Sequence, residues 1–114
     1  MASVDAFGNV SFGASIMDGV LAVGGKIIIT PEHLIFHPHA FNFDNGGGDR
    51  YFPISEIVGY KKGFLTHLTV YWPNGYSETF VVWKKGKVIS ELEKRRIAYY
   101  QQRGLPVPQL MRQA

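Results

Sequence analysis

Gly24-Gly25-Lys26-Ile27-Ile28-Ile29-Thr30-Pro31-Glu32-His33-Leu34-Ile35-Phe36-His37-Pro38-His39-Ala40-Phe41-Asn42 decides how the rest of the chain is read. Three consecutive isoleucines are stiff at χ1 and fit a pleated sheet better than a helix, so residues 26–30 form a strand. Thr-Pro-Glu-His is a tight corner, and the strand that follows alternates: Leu34 and Phe36 share one face, His33, Ile35, His37 and His39 the other. Pro38 donates no ladder hydrogen bond, so pairing stops there or the strand lies at an edge. The next stretch, residues 41–49, carries three glycines in a row and reads as a loop.

Outward from this hairpin, residues 10–16 alternate weakly as a first strand that Met17-Asp18-Gly19 breaks. Val20-Leu21-Ala22-Val23, apolar and bracketed by glycines, is a short strand or a loop, and packing over the core is expected rather than an exposed tip. Downstream, residues 50–54 are extended, and residues 54–60 turn once and continue as a strand to a Lys61-Lys62-Gly63 turn. Phe64 to Trp72 reads as a strand with Leu68, Val70 and Trp72 on one face and Thr69 and Tyr71 on the other. Pro73-Asn74-Gly75 is the strongest turn in the chain, because Asn-Gly accepts the positive φ values that a short hairpin connection needs. Tyr76 to Trp83 is the returning strand.

After Trp83 the apolar period changes from two to about 3.6. A helix over Lys85 to Gln102 gathers Val88, Ile89, Leu92, Tyr99 and Tyr100 into one core-facing arc, with Lys87, Ser90, Lys94 and Gln101 outside it. Glu91 stands four residues ahead of Arg95 in the favourable order, and Gly104 supplies the C′ position that ends the helix. Arg96 and Arg103 fall inside the apolar arc. Arg103 is terminal and can snorkel, whereas Arg96 has to meet an acidic group on the barrel rim or a partner, and the intramolecular role is expected. Residues 105–110 are extended by their prolines.

The chain has 114 residues, 46% of them apolar and 14% aromatic, which suits one globular domain with a single core. No apolar run approaches the roughly 20 residues that span a bilayer. The start, Met1-Ala2-Ser3-Val4-Asp5, has no secretory n- or h-region, and there is no cysteine, which excludes disulfides and thiolate metal sites; a cytoplasmic setting is the default expectation. The net charge of +3 is divided unevenly. Residues 1–60 hold two basic and six acidic side chains, a balance of −4, and residues 61–114 hold ten basic and three acidic, a balance of +7.

Gly24 to His39, followed by Arg50-Tyr51-Phe52-Pro53-Ile54-Ser55-Glu56-Ile57, resembles the GRAM domain pattern of glycine, apolar strand, Thr, turn, Arg/His-Leu-Ile-Phe and then Ile-Pro-Leu-x-x-Ile. GRAM domains are members of the pleckstrin-homology-like superfamily, and the resemblance extends over residues 10–102. It implies a mainly β fold: a partly open barrel of about seven antiparallel strands capped by one C-terminal α-helix. It places residues 1–9 in an N-terminal extension, 10–103 in the domain and 104–114 in a Pro-containing tail. The implied role is a non-catalytic binding module without a cofactor, recognising an anionic membrane lipid or a protein partner, cytoplasmic or peripheral at the membrane. The alternative is a protein-interaction or self-association domain that offers a sheet edge and no lipid site. Lipid-binding members of the superfamily cluster Lys and Arg between their first two strands, where this chain has only Asp18 before Lys26. Lys61, Lys62, Lys84, Lys85 and Lys87 are the nearest candidates for a substitute anion or lipid site.

Other chemistries are weaker. His37-x-His39 has the spacing of a chelating pair, but no third ligand is apparent, so solvent-facing histidines beside a Pro bend are expected and no metal. Trp72, Tyr71 and Trp83 near lysines could stack bases, yet they read first as core and cross-strand aromatics, and no nucleic-acid motif accompanies them. Asp44, Asp49 and Glu56 have no catalytic partner in the sequence, and no triad, carboxylate pair or phosphate loop emerges.

Overall fold

In the computed structural model, which describes residues 2–39 and 48–111, the isoleucine strand is the second half of a long hairpin. Strand β2 (Val10–Asp18) turns at Gly19 and Val20 into β3 (Leu21–Ile29), and the two pair along their whole length, Val10 with Ile29 and Asp18 with Leu21. Alternation sorts the isoleucines: Ile27 and Ile29 are buried at 1% and 0% exposure while Ile28 faces outward. The Thr-Pro-Glu-His corner is closed by the Thr30 hydroxyl oxygen, which accepts from the His33 amide at 3.0 Å, and by the Thr30 amide, which donates to the His33 carbonyl at 2.9 Å. Strand β4 (His33–Pro38) then returns with Leu34 and Phe36 inward, and β5 (Arg50–Pro53) pairs beside it. The glycine-rich loop lies outside the described residues except for Gly48 and Asp49.

A 3-10 turn (Ile54–Glu56) leads to β6 (Gly59–Lys62), β7 (His67–Tyr71) and β8 (Ser77–Val81). The Pro73-Asn74-Gly75 turn joins the last two, with φ of 67° at Asn74 and 76° at Gly75 as the sequence requires. The hydrogen-bonded path is β5-β4-β3-β2-β8-β7-β6, all antiparallel. It does not close: β5 and β6 are its two ends. Strand β1 (Ala2–Val4) pairs with residues 10–12 of β2, and β8 pairs with residues 15 and 16 of the same strand. Since β3 occupies the opposite edge of β2, β1 and β8 share one edge, and residues placed in an N-terminal extension form a strand of the sheet.

Helix α1 (Lys85–Gln102) sends Val88 and Leu92, at 1% and 0% exposure, into the core built by Phe36, Phe80, Tyr60, Leu68 and Val70. It ends in a Schellman motif: Gly104 at φ 68° donates to the Gln101 carbonyl at 3.1 Å and Leu105 donates to Tyr100 at 2.9 Å. The tail then lies back on the sheet, with the Met111 amide donating to the Val58 carbonyl at 2.8 Å and Leu110 packed on the core. Glu91 and Arg95 form the expected ion pair, 2.5 Å.

Arg96 is 4% exposed, and its role is intramolecular. Its Nε and Nη2 donate to the two carboxylate oxygens of Glu93 at 2.7 and 2.9 Å, its Nη1 donates to the Pro108 carbonyl at 2.8 Å, and Tyr60 Oη donates to Glu93 at 2.7 Å. Burial opposes ionisation of Glu93, but the hydrogen bonds from Arg96 and Tyr60 and the Arg96 charge outweigh it and hold its carboxyl below the usual range. Burial, with the bond to Glu93, lifts the Tyr60 phenol far above its usual range, so it stays a donor. A depressed folded-state value stabilises the native chain above the unfolded pKa, and that contribution is lost as pH falls through the folded one. Glu93→Gln is therefore expected to flatten the loss of stability below about pH 4, read from urea midpoints across pH; an acid limb identical to that of the parent chain overturns the assignment.

Candidate functional site

Two segments without any acidic side chain, residues 57–77 and 79–90, contain all five candidate lysines. The β6–β7 hairpin and the β8–α1 junction bring them to one end of the molecule. The Val82 amide donates to the Thr66 carbonyl at 2.8 Å, and Lys85 Nζ reaches across to the Gly63 carbonyl at 2.8 Å. Lys85 is thus partly buried and ties the two loops together, while Lys62, Lys84 and Lys87 are exposed. Lys61 and Lys62, as consecutive strand residues, leave opposite faces of β6, so Lys61 stands apart on the outer face. The structure ties Lys85 to the β6–β7 turn, whereas Lys87, two residues along α1, leaves the other side of the helix.

Sequence reasoning missed what lies between these lysines. Phe64 and Leu65 were expected inside a strand and Trp83 among the core aromatics. Strand β7 starts only at His67, because residues 64–66 form the hairpin turn, closed by the Gly63 amide on the His67 carbonyl at 2.9 Å and the His67 amide on the Phe64 carbonyl at 3.1 Å. Phe64, Leu65 and Trp83 are 80%, 72% and 87% exposed. Parity held the signal for Trp83, which follows Thr79 and Val81 on the outward side of β8 while Phe80 and Val82 point inward. Leu65 sits at φ 53°, a left-handed conformation that costs a residue with a Cβ roughly 1–2 kcal/mol. Leucine is kept there at the expense of backbone energy.

The β2–β3 turn corrects another expectation. Val20 and Leu21, expected to pack over the core, are 94% and 69% exposed, because β3 begins at Leu21 and the tip projects past the barrel. Asp18 is the charged residue beside it, so this tip lacks the basic character of the β6–β7 end.

On the histidine face His37 and His39 are exposed and His33 is half-buried. Leu34 and Phe36 are buried, and His37 Nδ1 meets Asp49 Oδ1 at 2.6 Å, which gives Asp49 a structural partner. Among the described residues no group of three His, Asp or Glu side chains is arranged to hold a metal ion. In a second cleft, lined by Arg50, Tyr51, Phe52, Glu56, Trp72 and Tyr76, three of the polar side chains are engaged: Arg50 Nη2 donates to Glu78 at 2.6 Å, Tyr76 Oη also donates to Glu78, and Trp72 Nε1 donates to the Pro53 carbonyl at 2.9 Å. Phe52 stacks on Trp72 with ring centroids 5.0 Å apart. This cluster reads as the rim of the core.

No family model and no curated protein sequence matches the chain. Solved structures do. The C-terminal domain of an unknown protein from Leishmania infantum superposes with a TM-score of 0.61 at 17% identity, covering 76% of this chain and 81% of that one. The Slm1-PH domain in complex with inositol-4-phosphate superposes with a TM-score of 0.52 at 12% identity, covering 76% and 92%. A second Slm1-PH complex, with D-myo-inositol-4-phosphate, gives 0.50 at 14% identity, covering 76% and 93%. With its open antiparallel sheet and C-terminal helix, the chain has the pleckstrin-homology-like fold, and among the described residues no helix is long and apolar enough to cross a membrane.

Proposed function

We propose that this pleckstrin-homology-like chain is a GRAM-type, non-catalytic binding module that adsorbs to the anionic surface of a membrane from the cytoplasmic side, through the end formed by the β6–β7 hairpin and the β8–α1 junction. Residues 10–103 are the domain, with residues 2–4 and 104–111 packed onto it. The observation that carries the reading is the Lys85 to Gly63 bond, which joins two acid-free segments that carry Lys62, Lys84, Lys85 and Lys87. The inositol phosphates in the Slm1-PH complexes support an anionic headgroup as the chemical class. Lysines beside an anionic leaflet contribute about 1 kcal/mol each. Lys62, Lys84 and Lys87 together then favour anionic over neutral vesicles by roughly 100-fold.

Co-sedimentation with phosphatidylcholine vesicles, with and without phosphatidylserine, measures this. Binding is expected only with the anionic lipid, falling as salt rises from about 0.05 to 0.5 M, since screening shortens the reach of exposed charges. The Lys62→Gln/Lys84→Gln/Lys87→Gln variant is expected to lose most of it. Absence of binding at low salt, or equal binding to neutral vesicles, sinks the membrane reading and leaves the protein-partner alternative.

A further inference from the structure

The lysines surround three side chains that electrostatic adsorption does not use. We infer that Phe64, Leu65 and Trp83 form a wedge that enters the bilayer, so that the ligand of this end is an anionic membrane interface rather than a soluble phosphorylated headgroup. The inference rests on the membrane reading above and adds how deep the contact goes.

Several observations converge on it. All three side chains project at 72–87% exposure from adjoining loops, joined by the Thr66–Val82 and Gly63–Lys85 hydrogen bonds. Their cost in water has no compensation within the fold. Phe7, Val20 and Leu21 are as exposed, but the charged residues closest to them in sequence are Asp5 and Asp18, which an anionic leaflet repels. Around the wedge the nearest charges in sequence are lysines, placed to meet headgroup phosphates while the apolar tip descends between them. Tryptophan suits this depth, with a flat apolar body and one N–H for the polar boundary. The left-handed backbone at Leu65 points the same way, since glycine or asparagine would fit that turn with less strain and neither would supply an aliphatic side chain. The turn is also held before any membrane is met: Gly63 and His67 close it, His67 Nδ1 lies 3.2 Å from the Phe64 carbonyl, and Lys85 braces it against the helix. A pre-formed tip loses little conformational freedom on insertion. A soluble phosphate would leave the three side chains in water, so the lysines alone give no reason for them.

The chain has two tryptophans, and they report separately, because Trp72 is 5% exposed in the core and Trp83 is 87% exposed on the wedge. Titration with phosphatidylcholine/phosphatidylserine vesicles is expected to shift the emission to the blue, and lipids brominated on their acyl chains are expected to quench the component that Trp83→Ser removes. Phe64→Ser/Leu65→Ser is expected to bind these vesicles about 10-fold more weakly at physiological salt and to lose the binding that resists high salt. Leu65→Gly separates this from folding, since it relieves the left-handed strain: its melting temperature is expected to equal or exceed that of the parent chain while its vesicle affinity falls. Phe7→Ser is the control, because Phe7 lies beside Arg95, Tyr99 and Arg103, ten or more residues along α1 from Lys85 and so about 15 Å away; its binding is expected to be unchanged. Salt-sensitive binding with no quenching, together with undiminished affinity of Phe64→Ser/Leu65→Ser, overturns insertion and leaves surface adsorption standing. Failure of the parent chain to bind either vesicle overturns both.

Discussion

Arg96→Ala is expected to destabilise the chain by about 3–5 kcal/mol, the range measured when one partner of a buried ion pair is removed. The guanidinium is 4% exposed and makes three hydrogen bonds, two to Glu93 and one to the Pro108 carbonyl. Alanine strips the Glu93 carboxylate of its cationic partner and leaves it with the Tyr60 hydroxyl. It also releases Pro108 from the helix and leaves the far end of the tail held by the Met111 to Val58 bond and the packing of Leu110. At about 4–8 °C per kcal/mol for a domain of this size, the melting temperature is expected to fall by about 10 °C or more. Replacing both charges by apolar residues, Arg96→Met with Glu93→Leu, is expected to recover part of the loss, since the unpaired carboxylate goes with it. A melting temperature unchanged in Arg96→Ala would falsify the assignment of this arginine to the fold.

That arginine marks how far the sequence carries. Its place inside the apolar arc of a helix left two outlets, an acidic group on the barrel rim or a partner, with the intramolecular one expected; the acid proved to be Glu93, on the same helix rather than on the rim. Local rules served equally well at Asn74-Gly75 and at Gly104, where positive φ is demanded by the turn or cap itself. They served less well where an outcome depends on how long a strand persists. Alternation shows which residues share a face, but it does not show where a strand stops, so Phe64 and Leu65 were absorbed into β7 and Trp83 into β8, and the wedge disappeared from view. Non-local register is invisible in the same way. Lys62 and Lys85 lie 23 positions apart, and the Val82–Thr66 and Lys85–Gly63 hydrogen bonds unite their loops. The lysines could be nominated from composition and position, but the joining of their loops could not. The same limit applies to β1 and to the tail, which join the core through partners at residues 10–12 and 58 that no periodicity links to them.

Gly25→Ala is expected to be strongly disruptive, costing about 3 kcal/mol or more, at the upper end of what overpacking does. Gly25 is buried in β3 in register with Pro38 on β4. A Cβ there would stand 2.2 Å from the His37 carbonyl oxygen and 2.9 Å from both the Phe36 ring and Pro38 Cα. Two of those three neighbours are backbone, so no rotamer change relieves them, and the third is one of the largest buried side chains in the core. The strand has to move away, which strains the His39 amide to Gly24 carbonyl bond of 2.9 Å and draws Phe36 out of its packing. Gly24, one residue earlier, tests the explanation. A Cβ at Gly24 meets only His39 Cδ2 at 3.4 Å and Ser15 Oγ at 3.9 Å, ordinary contacts, and its φ lies outside the left-handed region. Gly24→Ala is therefore expected to be neutral or to stabilise by about 0.5 kcal/mol through a less flexible unfolded chain. Urea denaturation of the two variants side by side reads the difference. Equal midpoints would show that β4 yields at no cost, and the close approach at Gly25 would then not be what fixes glycine in the stretch that defines the fold.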